Sequence, residues 1–210
     1  MKNILFTLLT ICFISSTNAQ IEQIKLKSKQ VKEINTVFAN YQKEISKTPK
    51  DWDKIVSYTY PKFFDFSDKA SIIKQLKKSF KNPIYFTTID VMELHTVATS
   101  FTHKNTVYGL AKYRFVMAMH FTKKETEDKK VFDNYVAFMH ETFKNKHKEA
   151  TVTRDKNVIT LDFPNKEIIV INDDVTTANW KMIEYIKDSP FFYEMFLEKE
   201  VAAYLAKNFK

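Results

Sequence analysis

From Ile21 the apolar residues Ile24, Val31, Ile34, Val37, Phe38, Tyr41 and Ile45 recur mostly three, four or seven positions apart, the stripe of one long amphipathic helix that Pro49 ends. Asp51 is placed to cap a short helix carrying Trp52, Ile55 and Tyr58, which Pro61 closes, and Ser67 to cap a third with Ile72, Ile73, Leu76 and Phe80 on one face. After Pro83 the period changes to that of extended chain. Between Ile84 and about Ala98, Ile89 and Val91 share one parity while Met92 and Leu94 take the other, and such a shift predicts a bulge that bends the strand. A second long strand alternates cleanly: Val107, Gly109, Ala111, Tyr113, Phe115, Met117, Met119 and Phe121 form an odd face expected to be buried, and the even face is expected to be half wet. The charged stretch from Lys123 to Lys130 reads as a loop, followed by a fourth helix with Phe132, Tyr135, Val136, Met139 and Phe143 at helical spacing. Strands are expected at Val158–Phe163, Ile168–Asn172 and Trp180–Ile186, with a short partner at Thr151–Arg154. Ser189 and Pro190 then open a last helix with Phe192, Phe196, Leu197, Val201, Tyr204 and Leu205 on its apolar side. The pattern predicts an α+β chain: N-terminal helices packed on a curved antiparallel sheet, with an inserted helix and a C-terminal helical tail.

The first nineteen residues follow a different logic. Lys2, an apolar run from Ile4 to Ile14 and the small polar stretch Ser15 to Ala19 have the form of a secretory signal peptide, with cleavage before Gln20. The run is shorter than the roughly 20 apolar residues of a membrane span, so no transmembrane segment is expected. The implied location is secreted or periplasmic. Removal of the signal leaves 210 − 19 = 191 residues, a length suited to one domain with a substantial core, here residues 20–210. The single cysteine, Cys12, would leave with the signal, so the mature chain would have neither thiol nor disulfide. Ile11 stands where processing of a lipid-anchored cysteine needs a small residue, which argues against Cys12 as an anchor.

Composition narrows the chemistry. Gly109 is the only glycine, so phosphate-cradling loops, dinucleotide folds and serine elbows in their usual form are excluded. Turns must rely on asparagine, aspartate and proline, as at Asn82 with Pro83, Asp155 to Asn157, and Asn172 to Asp174. The net charge of +8 is nearly all lysine; Arg114 and Arg154 are the only arginines, which speaks against sequence-specific nucleic-acid binding. Scattered lysines read first as a solvated surface.

Two stretches carry a resemblance. The run from Trp52, Asp53, Lys54 and Ile55 through Tyr58, Thr59, Tyr60 and Pro61 resembles the second helix and its exit in small secreted bacterial members of the nuclear transport factor 2-like, or cystatin-like cone, superfamily. Asn179, Trp180 and Lys181 opening a late strand are similar to the common ending of that group. The resemblance covers roughly Ile21 to Ile186 and departs at the helix near Phe132 to Lys146 and at the tail after Ser189. It implies a tapering cavity between helices and sheet, used in such folds for ligands or for acid and base chemistry.

Within that frame the expected function is a non-catalytic binding or interaction module, its partner a small apolar ligand or another protein. Phe63, Phe64, Phe66, Phe115 and Met117 are the candidate cavity residues; such rings also serve as ordinary core packing. An alternative is a cofactor-free isomerase or lyase with Asp90 as base and Tyr113 as polariser, His95 and His120 being further acid–base candidates. A third is an oligomeric scaffold, a homodimer through the even sheet face of Tyr108, Leu110 and Val116. No cofactor is expected, and no metal: His95, His103, His120 and His140 lack paired spacing, and Lys144 replaces the second histidine a zinc-protease helix would need after His140 and Glu141. Asn172, Asp173 and Asp174 read as a turn, not a calcium loop.

Overall fold

The computed structural model describes residues 20–123, 128–177, 179–186 and 190–208. The proposed signal peptide lies outside the described residues, as do residues 124–127 of the charged loop and Ser189. The elements run β1 (Glu22–Ile24), α1 (Ser28–Ser46), α2 (Trp52–Val56), a 3-10 turn (Pro61–Asp65), α3 (Lys69–Phe80), β2 (Tyr85–His103), β3 (Thr106–Phe121), α4 (Lys129–Lys146), β4 (Thr151–Asp155) and β5 (Val158–Asn172). A second 3-10 turn (Asp174–Thr176), β6 (Lys181–Glu184), α5 (Pro190–Glu194) and α6 (Lys199–Asn208) complete the chain. The architecture is α+β, with helices around one strongly curled antiparallel sheet in the order β1-β2-β3-β5-β4, β6 also pairing β5.

The curl has a local cause. Strand β2 spends 19 residues on the length that β3 covers in 16, and the difference of 3 is taken up by register shifts at Asp90, His95 and Ala98. Each inserted residue raises the local twist and turns later side chains over, so Ile89, Met92, Leu94 and Val97 all face the same core although their parities differ. On β5, Pro164 and Asn165 stand opposite Arg114, where the pairing slips between Tyr113 and Phe115. A proline without a donor fits there, because β4 covers only Val158–Asp162 and β6 only Ile168–Ile171 of the outer edge. The two strands expected on either side of Pro164 are thus one bent strand.

Caps follow the short polar residues. Asp51 accepts from the amide of Lys54 at 2.9 Å to start α2, Asp68 rather than Ser67 accepts from Ser71 at 2.8 Å to start α3, and Asp128 accepts from Lys130 and Val131 to start α4. The N-terminal stripe corrects one expectation. Glu22–Ile24 is not helix but a strand that pairs with Ser100–Thr102, and the Ser100 hydroxyl donates to the Ile24 carbonyl at 2.7 Å. The spacing of Ile21 and Ile24 is helical, but so short a stretch is overridden by the unpaired edge of β2, which it completes.

Three cores result. Helices α1 to α3 cover the odd face with Ile34, Phe38, Ile55, Ala111, Tyr113, Ile168 and Trp180. Helix α4 covers the far end of that face through Phe132, Val136, Met119, Phe121, Ile159 and Leu161. The tail covers the opposite face, where Tyr193, Val201 and Leu205 pack on Phe101, Tyr108, Leu110, Ile169 and Ile171. The even face is half wet as expected, with Lys112, Arg114 and His120 half-exposed, but Tyr108, Leu110 and Val116, the residues expected to form a homodimer contact, are buried within the chain and not available for it. On that face Arg114 donates to both carboxylate oxygens of Asp162 at 3.0 and 2.7 Å. Among the described residues no helix is long and apolar enough to cross a membrane.

Candidate functional site

The chain between α2 and α3 is held to the sheet by its backbone: Met182 donates to the Tyr58 carbonyl at 2.9 Å and Tyr60 donates to that of Met182 at 3.0 Å. This seam ties the α2–α3 connection to β6 beside the odd face. Between them lies a cavity of about 410 Å³, roofed by Tyr41, Ile45, Ile55, Ile72, Leu76 and Phe80, floored by Met92, Tyr113, Phe115, Ile168 and Met182, and flanked by Phe63, Ile186 and Phe192. Its size and apolar walls suit a small organic molecule.

Few polar atoms reach it. Lys166 and Glu184 line one side, paired with each other, with the Lys166 ammonium 5.2 Å from the Phe163 ring centre and 6.0 Å from that of Phe115. Glu184 is half exposed and marks where the cavity meets solvent. Inside stand the hydroxyls of Tyr41 and Tyr113, and neither has a hydrogen-bond partner among the described residues. Burial, and after it the negative charge of Glu184, pushes the Tyr41 phenol up to about 12, and the same two causes push Tyr113 further in that direction. Both phenols are thus neutral donors over the physiological range, and their hydroxyls face the open space of the cavity with no protein acceptor among the described residues.

The sequence candidates separate at this point. Phe63, Tyr113 and Phe115 line the cavity. Phe66 is 55 % exposed, Phe64 packs edge-on to Phe63 outside the lining, and Met117 belongs to the core under α4, so the run of three aromatic residues does not enter as a unit. Adjacent Phe63 and Phe64 diverge around the 3-10 axis, and Phe66 falls at the C-cap, outside the turn. Asp90 is exposed, accepts from the Thr88 hydroxyl at 2.9 Å, and borders a shallow groove beside α1 rather than the cavity of Tyr113. The pairing of Asp90 with Tyr113 is therefore not made: the bulge re-aims the carboxylate, but away from the cavity. His120 contacts Thr88 at 3.1 Å and stacks on Phe86, and exposed His95 reaches the Pro164 carbonyl, both outside the cavity. Asp173 accepts from the Thr176 amide at 3.0 Å, so the Asn172–Asp174 stretch is a turn, as read.

Sequence reasoning missed Tyr41, Lys166 and Glu184. Tyr41 was legible only as one more member of the α1 stripe, and Lys166 follows a proline that hid the continuity of β5. No family model, curated protein or solved structure matches the chain.

Proposed function

We propose that this protein is an exported binding module that takes a small, largely apolar and uncharged molecule carrying a hydrogen-bond acceptor into the cavity between α1–α3 and the sheet. The observation that carries the reading is the pair of unpartnered, neutral tyrosine hydroxyls of Tyr41 and Tyr113 inside an apolar space of about 410 Å³. Two donors aimed into an apolar space favour a guest that presents an acceptor oxygen to them over one that is wholly apolar, since a guest without an acceptor would leave both unpaired. An anionic guest is disfavoured, because Glu184 adds negative potential and already neutralises Lys166. The reading is of binding rather than turnover: the one carboxylate among the described lining residues is tied to a lysine, and no histidine lines the space. The helices over a curled antiparallel sheet are compatible with the nuclear transport factor 2-like cone, and that kinship is part of the proposal.

A titration with 1-aminoanthracene, a neutral fluorophore, tests the site. The wild-type chain takes up the probe with a blue-shifted emission, and Ile72→Trp, which fills the cavity from a half-buried helix position, weakens uptake at least about tenfold without lowering the unfolding midpoint. Equal uptake by both proteins contradicts the assignment. Export is tested separately by the N-terminus of the protein purified from its own host: Gln20 is expected, and retained Met1 contradicts it.

A further inference from the structure

Far from the cavity, the tip of the β2–β3 hairpin meets the start of α6. His103, the last residue of β2, is only 2 % exposed, a rare place for a residue with two polar ring atoms. Its Nε2 lies 3.1 Å from Oε2 of Glu198, and its Nδ1 has no partner. Glu200 stands two residues further on, and one donor atom from each of His103, Glu198 and Glu200 lies within 4.8 Å of the others. A cation is already seated on this group, since the ammonium of Lys104 pairs with the same Oε2 of Glu198.

We propose that His103, Glu198 and Glu200 form a site for a divalent transition-metal ion, of the zinc type, which fastens the C-terminal helices to the sheet. One imidazole and two carboxylates are the donor set of zinc rather than of calcium or magnesium, which take oxygen alone. Zinc bonds of about 2.0–2.1 Å require donors roughly 3.3 Å apart. His103 and Glu198 already meet that spacing at 3.1 Å, and Glu200, exposed on a free stem, closes the remaining distance by a rotamer change. Lys104 is a competitor rather than a ligand. It holds the place by charge, and its exposed side chain swings out when a doubly charged ion arrives. The buried ring cannot follow it: His103 is fixed by the sheet, which leaves its Nε2 pre-aimed at the ion. With three protein ligands and no acceptor on Nδ1, the affinity falls short of a closed four-ligand site. The ion would join residues 95 positions apart and secure the tail without a disulfide.

Calorimetric titration of the full chain with Zn²⁺ tests this, with the surface pairs His140–Glu141 and His147–Glu149 as the competing sites. One ion per chain is expected, together with a rise in melting temperature. Glu200→Gln, an exposed change that leaves the fold intact, should weaken binding at least about tenfold, since even residues that only support metal ligands cost that much. Lys104→Met should tighten binding several-fold, an effect no surface pair elsewhere would show. His103→Ala should abolish the binding; if that variant does not fold, the other two decide the matter. Zinc affinity unchanged in both Glu200→Gln and Lys104→Met, or no binding by the wild-type chain, overturns the proposal.

Discussion

Single positions carry much of this molecule. Gly109, the one glycine, occupies no turn; it lies mid-strand, where an added Cβ would stand 2.9 Å from a methyl of Val170 and 3.1 Å from one of Val97. The missing side chain leaves room for Val170 and Val97 of the flanking strands, and Gly109→Ala is expected to lower stability by about 1–3 kcal/mol in urea unfolding. Left-handed turn positions are taken instead by Lys104, Lys156 and Thr177, so asparagine and aspartate supply the side-chain bonds that brace turns, as at Asn82 and Asp173, but not the left-handed residue itself. Asn82 braces its turn by accepting from the Ile84 amide, whereas the Asn157 side chain donates across to the Phe121 carbonyl, and the positive φ beside Asn157 falls on Lys156. At the cavity, Tyr113→Phe is expected to weaken binding of a carbonyl-bearing probe about 3- to 10-fold, the worth of one hydrogen bond, with stability nearly unchanged because no protein partner loses a bond. Equal affinity in the two proteins would remove Tyr113 from the recognition argument.

At the level of elements, periodicity located most helices and strands, because an element that packs on the sheet keeps a stripe, but the tail expected as one helix is two, Pro190–Glu194 and Lys199–Asn208. Periodicity failed where pairing partners decide. Glu22–Ile24 became a strand because β2 offers an open edge, and β5 stayed whole across Pro164 because that residue falls between the two strands covering its edge. The parity shift in β2 announced one bulge; the further two, at His95 and Ala98, lie among threonine, alanine and histidine, whose burial is too ambiguous to set a parity. The tail shows the same limit. Its apolar side was legible, but nothing local said that it would cover Tyr108 and Leu110. That role makes it an integral layer: Leu205→Ala, at a position 1 % exposed, is expected to cost about 2–5 kcal/mol, whereas a loosely attached appendage would leave the unfolding midpoint where it was.

For the whole molecule, three apolar clusters around one curled sheet replace any covalent tie, and tyrosine is built deeply into two of them. Burial first, with neighbouring carboxylates after it, pushes Tyr41 up to about 12, and burial leads the same rise to about 12 at Tyr108 and Tyr193; Tyr60 and Tyr113 move further in that direction. The folded state therefore keeps protons that an unfolded tyrosine releases near 10, so their contribution to stability is complete below about pH 10 and is lost as pH rises from there through about 12. Alkaline titration followed by tyrosinate absorbance should show these five ionising only with unfolding; their ionisation near pH 10 in a chain with native circular dichroism would contradict the packing. The cavity itself was foreseeable from helices facing a bent sheet, but not its polar content, because Tyr41, Tyr113 and Glu184 come from three elements whose juxtaposition depends on the bulges and on the seam at Met182. The most direct test is an isoleucine-methyl NMR titration with acetophenone, a small neutral ketone. Shifts at Ile45, Ile55, Ile72 and Ile168, with Ile159 under α4 and exposed Ile84 unmoved, are the predicted result; saturating ketone that leaves those four methyls in place, or moves only Ile84, would contradict it.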